Sequence, residues 1–154
     1  MSIHYFERGE KKMKRTIILT IASILLFTTT AWAASNCPQP RKTKSAPSNI
    51  AAMDHTAKAD AAKGKKLYEK GAKPLACKMC HGESGDGMGK LGKALKPNPR
   101  NFTCSATMKD VSAGQMFYII KNGSASTGMV AHGKTLKDNE IWDVVKYIRQ
   151  TWVH

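Results

Sequence analysis

The sequence predicts a single small all-α domain, and three observations carry that expectation. Ile141, Val144, Val145 and Ile148 recur at i, i+3, i+4 and i+7, with Asp143, Lys146, Arg149 and Gln150 on the other side, which is the period of an amphipathic helix. No run of strand length alternates apolar and polar residues. The chain has 154 residues, enough for one domain of ordinary size and too few for two.

The elements follow in chain order. Lys11, Lys12, Lys14 and Arg15 precede an apolar run from Ile17 to Phe27, and Ala31-Trp32-Ala33-Ala34 follows. Charged, apolar and small residues in that order are the pattern of a secretory signal, so residues 1–33 are expected to be removed after Ala33, and the remainder to be exported to the periplasm. Met13 is an alternative start. An uncleaved anchor competes, because Ile17 to Ala34 is just long enough to span a bilayer, although its threonines and serine weaken it. Residues 34–53 are rich in Pro, Ser and positive charge and lack apolar periodicity, as expected of a flexible basic tether. The globular domain is expected over 54–154.

Within that domain, Ala and Lys dominate from about Met53 to Lys70, with Leu67 and Tyr68 near the end. This stretch predicts a helix stopped by Gly71 and Pro74. Gly82, Gly85, Gly87, Gly89, Gly92, Pro97 and Pro99 make the next stretch a loop that must wrap around something. Ser112 and Gln115 have the spacing of a capping box, Met116, Phe117, Ile119 and Ile120 supply an apolar side, and Asn122-Gly123 is a stop signal. A second flexible stretch runs from Gly123 to Lys137, before the amphipathic helix that ends the chain.

Composition narrows the function. Lys and Arg number 25 against 11 Asp and Glu, aromatics are only 7%, and there are four cysteines. That balance excludes an acidic disordered solubiliser and a disulfide-dense mini-protein. Residues 1–33 contain five basic and two acidic residues, so residues 34–154 carry 20 minus 9, a charge of +11. A basic exported domain is steered toward acidic partner proteins or anionic lipid. Nucleic acid is not expected, since no recognition motif is present.

The informative word is Cys77-Lys78-Met79-Cys80-His81. C-x-x-C-H is the attachment sequence of c-type haem. Two cysteines three apart on one helical turn can both reach the vinyl groups along one porphyrin edge, and the next residue's imidazole then lies under the iron. A redox dithiol would need a βαβ setting, and none is visible. A zinc site could draw on Cys77, Cys80, His81 and Cys104, but adjacent Cys80 and His81 suit one tetrahedral ion poorly, and no second C-x-x-C follows. For the opposite face of the iron, the loop before the last helix offers Gly128-Met129, a soft neutral thioether beside glycines that allow close approach to a flat ring. Eight methionines are present, and the ordinary role of any one of them is core packing.

Taken together, these segments resemble the class I monohaem cytochromes c of the bacterial periplasm. The resemblance rests on Gly64 to Tyr68, Cys77 to His81, Gly85-Asp86-Gly87, Pro97 to Thr103, Gly123 to Met129 and Glu140 to Arg149, and spans about Ala59 to Trp152. It implies a cytochrome c fold, with small helices wrapped around one covalent haem c. It also implies that His81 and Met129 ligate the iron, that Gly64 and Tyr68 pack near Val144 and Tyr147, and that the carbonyl of Pro97 or Pro99 receives the Nδ1 proton of His81. The chain departs from the family in having Val130, Ala131 and His132 after Met129. His132 is therefore either a competing ligand or a solvated loop residue. Lys137 stands where the family has a serine, so Asp138 is expected to cap the last helix. His55 is expected at the surface, as is the terminal His154.

Cys37 and Cys104 are left over from haem attachment. An exported protein favours joining them, but spacing alone leaves a bridge and two free thiols equally open. The expected function is one-electron transfer by a monomer, with redox proteins bearing acidic docking surfaces as partners and membrane contact through the N-terminal segment. A haem subunit of a larger oxidoreductase, a haem enzyme with a labile sixth ligand and a structural zinc module are the alternatives.

Overall fold

In a computed structural model, residues 37–39 and 43–153 are described. The signal-like segment 1–33 and His154 lie outside the described residues. The described residues form helices and turns with no β-strand among them, as the all-α expectation requires. Their helices are α1 Ser48–Ala51, α2 Ala61–Lys66, α3 Lys78–His81, α4 Ser105–Met108, α5 Ala113–Asn122 and α6 Asp138–Trp152. No helix of the described residues is long and apolar enough to cross a membrane.

The expected helix over 53–70 is broken by its own polar side chains. The Asp54 carboxylate accepts from both the amide and the hydroxyl of Thr56, at 2.9 and 2.7 Å, and so competes with the helix for backbone donors. A single 3-10 turn, Thr56–Lys58, follows. Asp60 then starts α2 afresh, its carboxylate accepting from the amides of Ala62 and Lys63 at 2.9 and 3.1 Å. Past Lys66 the helix widens into a π-turn, Leu67–Gly71.

Helix α6 holds the molecule together. Ile141, Val144, Val145 and Ile148 are buried, and Trp142 joins them, stacking on Phe117 of α5 at 4.6 Å. Each such side chain contributes about 1.5–3 kcal/mol on burial. On another side α6 crosses α2 so closely that only a glycine fits: a Cβ on Gly64 would lie far inside van der Waals contact distance of the Asp143 carbonyl. The Asp143 carboxylate accepts from the amide of Asp60 at 2.6 Å, tying the start of α2 to the same crossing.

Helix α5 begins with one half of the expected capping box, Ser112 Oγ accepting from the Gln115 amide at 3.1 Å while the Gln115 side chain turns to Lys44 and Ala46, and Gly123 ends it in the left-handed region, at φ +73°. Helix α6 begins differently from expectation. Lys137, not Asp138, is the N-cap, and its amide donates to the Glu140 carboxylate at 2.7 Å. Asp138 instead pairs with Lys121 of α5 at 2.7 Å.

The described part of the expected tether is packed against the domain. Cys37 is joined to Cys104, the Ala46 amide donates to Gln115 Oε1 at 2.7 Å, and Gln115 Nε2 donates to the Lys44 carbonyl at 3.0 Å. Helix α1 lies against the start of α5, where Ser112 Oγ donates to the Ala51 carbonyl at 2.7 Å and Gly114 gives the Ile50 carbonyl room. Composition concealed this strap because its partners are polar groups and one sulfur more than 60 residues away.

Candidate functional site

The site begins with one turn of helix. Cys77 is the N-cap of α3, and its carbonyl accepts from the amides of Cys80 and His81 at 3.2 and 2.9 Å. This winding places Cys77, Cys80 and His81 together on the wall of a single open-mouthed cavity. Both thiols are unbridged. Burial pushes the Cys77 thiol up to about 12 and also raises that of Cys80, so both stay protonated near neutrality. The rest of the wall is mostly apolar, with Leu95, Phe102, Met116 and Ile120 among its residues.

His81 is buried and its ring is fixed on two sides. Nδ1 donates to the Arg100 carbonyl at 3.0 Å, and the ring stacks on Phe102 at 4.5 Å with planes 14° apart. A carbonyl partner requires the proton on Nδ1 and therefore leaves the lone pair on Nε2, the tautomer a metal ligand needs. The acceptor is thus Arg100 and neither Pro97 nor Pro99, correcting the expectation from resemblance. Pro99's carbonyl is taken by Gln39 Nε2 at 2.9 Å. The turn after His81 is closed by Gly87, whose amide donates to the His81 carbonyl at 2.8 Å. Tyr68 reaches it from the π-turn that follows α2, donating through its hydroxyl to the Gly82 carbonyl at 2.7 Å. Burial raises the Tyr68 phenol, so this donor keeps its proton.

Met129 lines the same cavity as His81. Its loop is held by short local bonds: Thr127 Oγ1 accepts from the Met129 amide at 3.1 Å, and the Met129 carbonyl accepts from the Ser124 amide at 3.0 Å. His132 also lines the cavity and is only 3% exposed, so it is not a solvated loop residue. Its Nδ1 donates to the Lys73 carbonyl at 2.8 Å, and its amide donates to the Ile120 carbonyl at 2.9 Å. His55 is exposed, as expected, and lies against Trp142.

The zinc alternative loses its donor set. Cys104 is committed to Cys37, and among the described residues no three His, Cys, Asp or Glu side chains are gathered to hold a metal ion. Haem fits: two protonated thiols one turn apart, an imidazole of the right tautomer beside them, and a broad apolar wall. Two residues at this site carried no recognisable sequence signal. Arg100 acts through its backbone, which every residue has, and Gln39 lies in the strap.

Comparison with known proteins agrees. The family model for cytochrome c matches residues 61–152, which include α2, the Cys77 to His81 turn, Met129 and α6. Among curated proteins none matches this chain. A chain of the reducing HAO-like protein complex of Kuenenia stuttgartiensis has a similar fold, with a TM-score of 0.51 and 22% identity over 76% of this chain. The match spans about half (49%) of that chain's length. The family match over the greater part of the chain makes this protein a member of the cytochrome c family, a family whose members carry covalent haem.

Proposed function

We propose that this chain is an exported periplasmic one-electron carrier with one haem c, bound through Cys77 and Cys80 and ligated by His81 and Met129. The observation that carries the reading is the convergence of Cys77, Cys80, His81 and Met129 on one apolar cavity. Haem bound there supplies an iron that alternates between Fe(II) and Fe(III). The chain's residues do the rest. The Arg100 carbonyl holds the Nδ1 proton, which makes the imidazole more electron-rich, and Phe102 fixes the plane of its ring. Apolar walls keep water from the centre. Leu75 and Val130, 41% and 38% exposed, line the cavity and bring its apolar surface out to solvent. Such a rim on a basic protein suits brief docking to acidic redox proteins, with association that slows as salt rises.

His132 supports a second ligand reading, because its Nδ1 bond to the Lys73 carbonyl also leaves the lone pair on Nε2. Optical spectra of the purified exported protein, oxidised and reduced, separate the two. The weak long-wavelength band of a bond from methionine sulfur to ferric iron is expected, and Met129→Ala is expected to abolish it. Its absence from the wild-type spectrum, with loss of six-coordination in His132→Ala, would assign the position to His132. A protein without haem would overturn the proposal. A stable co-purifying partner would move the reading toward a subunit of a larger oxidoreductase.

A further inference from the structure

The strap engages the segment that orients His81, and one side chain makes the connection. Gln39 Oε1 accepts from the Asn101 amide at 3.0 Å and from Arg100 Nη1 at 3.4 Å. Its Nε2 donates to the Pro99 carbonyl at 2.9 Å, and its amide donates to Thr107 Oγ1 at 3.1 Å. Gln39 therefore grips the backbone immediately before and after Arg100, whose carbonyl accepts the Nδ1 proton of His81. The grip is anchored two residues away, where Cys37 is bonded to Cys104, three residues beyond Asn101. The strap and the 99–104 segment thus form a closed ring of bonds around the peptide group that supports the proximal ligand.

We infer that Gln39 is a positioning residue for the haem ligand, setting the Arg100 carbonyl against His81 and through it the reduction potential. The inference rests on His81 being the proximal ligand. Holding a carbonyl acceptor against Nδ1 raises the basicity of the imidazole, which favours Fe(III). Releasing it favours Fe(II) and raises the potential. The strap makes a second, separable contact at Ser112, whose hydroxyl donates to the Ala51 carbonyl at 2.7 Å and which is not among the cavity-lining residues. That contact provides a control for loosening the strap without touching the ligand's support.

The test is potentiometric titration of the full-length, haem-loaded protein as wild type, Gln39→Ala and Ser112→Ala, with covalent haem content and melting temperature measured on the same samples. Gln39→Ala is expected to raise the potential enough to change the Fe(II)/Fe(III) ratio about threefold at fixed ambient potential, about 28 mV at 59 mV per decade. Ser112→Ala is expected to lower the melting temperature and leave the potential in place. An unchanged potential in loaded Gln39→Ala would overturn the inference, as would an equal shift in both variants, since a general loosening would then suffice. If Gln39→Ala fails to load haem, Gln39→Glu keeps the acceptor for Asn101 and removes the donor to Pro99; loaded Gln39→Glu with the wild-type potential, after allowance for its added charge from a distant Gln→Glu control, would overturn it. Failure of the haem reading itself shows separately, as wild-type protein without covalent haem.

Discussion

The two sides of helix α6 are built on opposite terms. Where α6 meets α2 the contact is complete within the chain: Gly64 lets the backbones touch, Asp143 binds the Asp60 amide, and Tyr68 fills the space beside Tyr147, the two rings 5.4 Å apart. Where α6 faces the cavity, Val144 and Ile148 line a space that protein atoms do not fill. The first region is closed by side chains and the second needs a flat apolar partner of its own size. A domain this small, with few aromatic residues, gains from a covalent porphyrin the apolar contact its own residues do not supply.

This contrast can be broken first on the cavity side. Replacing Cys77 and Cys80 by Ser removes both thioethers, and the expected outcome is complete loss of haem that survives denaturation, read by absorbance of the unfolded protein on a gel. Retention of covalent haem would refute the assignment of those cysteines. On the closed side, Gly64→Ala is expected to cost about 3 kcal/mol, since the added methyl meets rigid backbone at Asp143 and the helices must part. Denaturant titration measures it, and a loss below 1 kcal/mol would mean that the crossing yields more than its geometry implies.

A comparable loss, also about 3 kcal/mol, is expected on replacing Cys37 and Cys104 together by Ser, because the bridge closes a separation of 67 residues. Tyr68→Phe sharpens the comparison further by deleting a hydroxyl that spans the two regions, from the π-turn after α2 to the Gly82 carbonyl. It should cost about 1 kcal/mol. The smallest effect is set by pH. Hydrogen bonds from Thr56 lower the Asp54 carboxyl, and those from the Lys63 and Ala62 amides lower that of Asp60. With the folded value below the unfolded one of 3.8, their stabilisation is present above that pH and fades as pH falls through it. The double variant Asp54→Asn, Asp60→Asn should show a shallower acid loss of melting temperature than wild type.

Local features were legible in the sequence because their causes are local. The attachment word needs three residues on one turn, and five consecutive letters specify that turn. The apolar stripe of α6 and the Ser112 and Gly123 signals of α5 likewise act over a few residues. The helix expected over 53–70 formed in its second half, from Ala61 to the expected stop at Gly71, and failed before Asp60 for a local reason: Asp54, Thr56 and Asp60 are side chains that compete for backbone amides, and their pull outweighed the helix propensity of the alanines and lysines around them. The tether expectation failed differently. Its residues 37–39 and 43–53 have no apolar period, and what packs them are Cys104, Gln115 and the 99–101 backbone, all distant in the chain.

By itself, the sequence determined the all-α class and the place of the last helix, and it held the five-residue word on which the proposed haem attachment rests, since each depends on residues within one or two helical turns. Only the tertiary structure decided which carbonyl supports His81, that Cys37 meets Cys104, that Gln39 grips the segment between them, and that His132 is buried in the cavity wall. Those facts depend on backbone groups, which have no letter of their own, and on contacts across some 60 residues of chain.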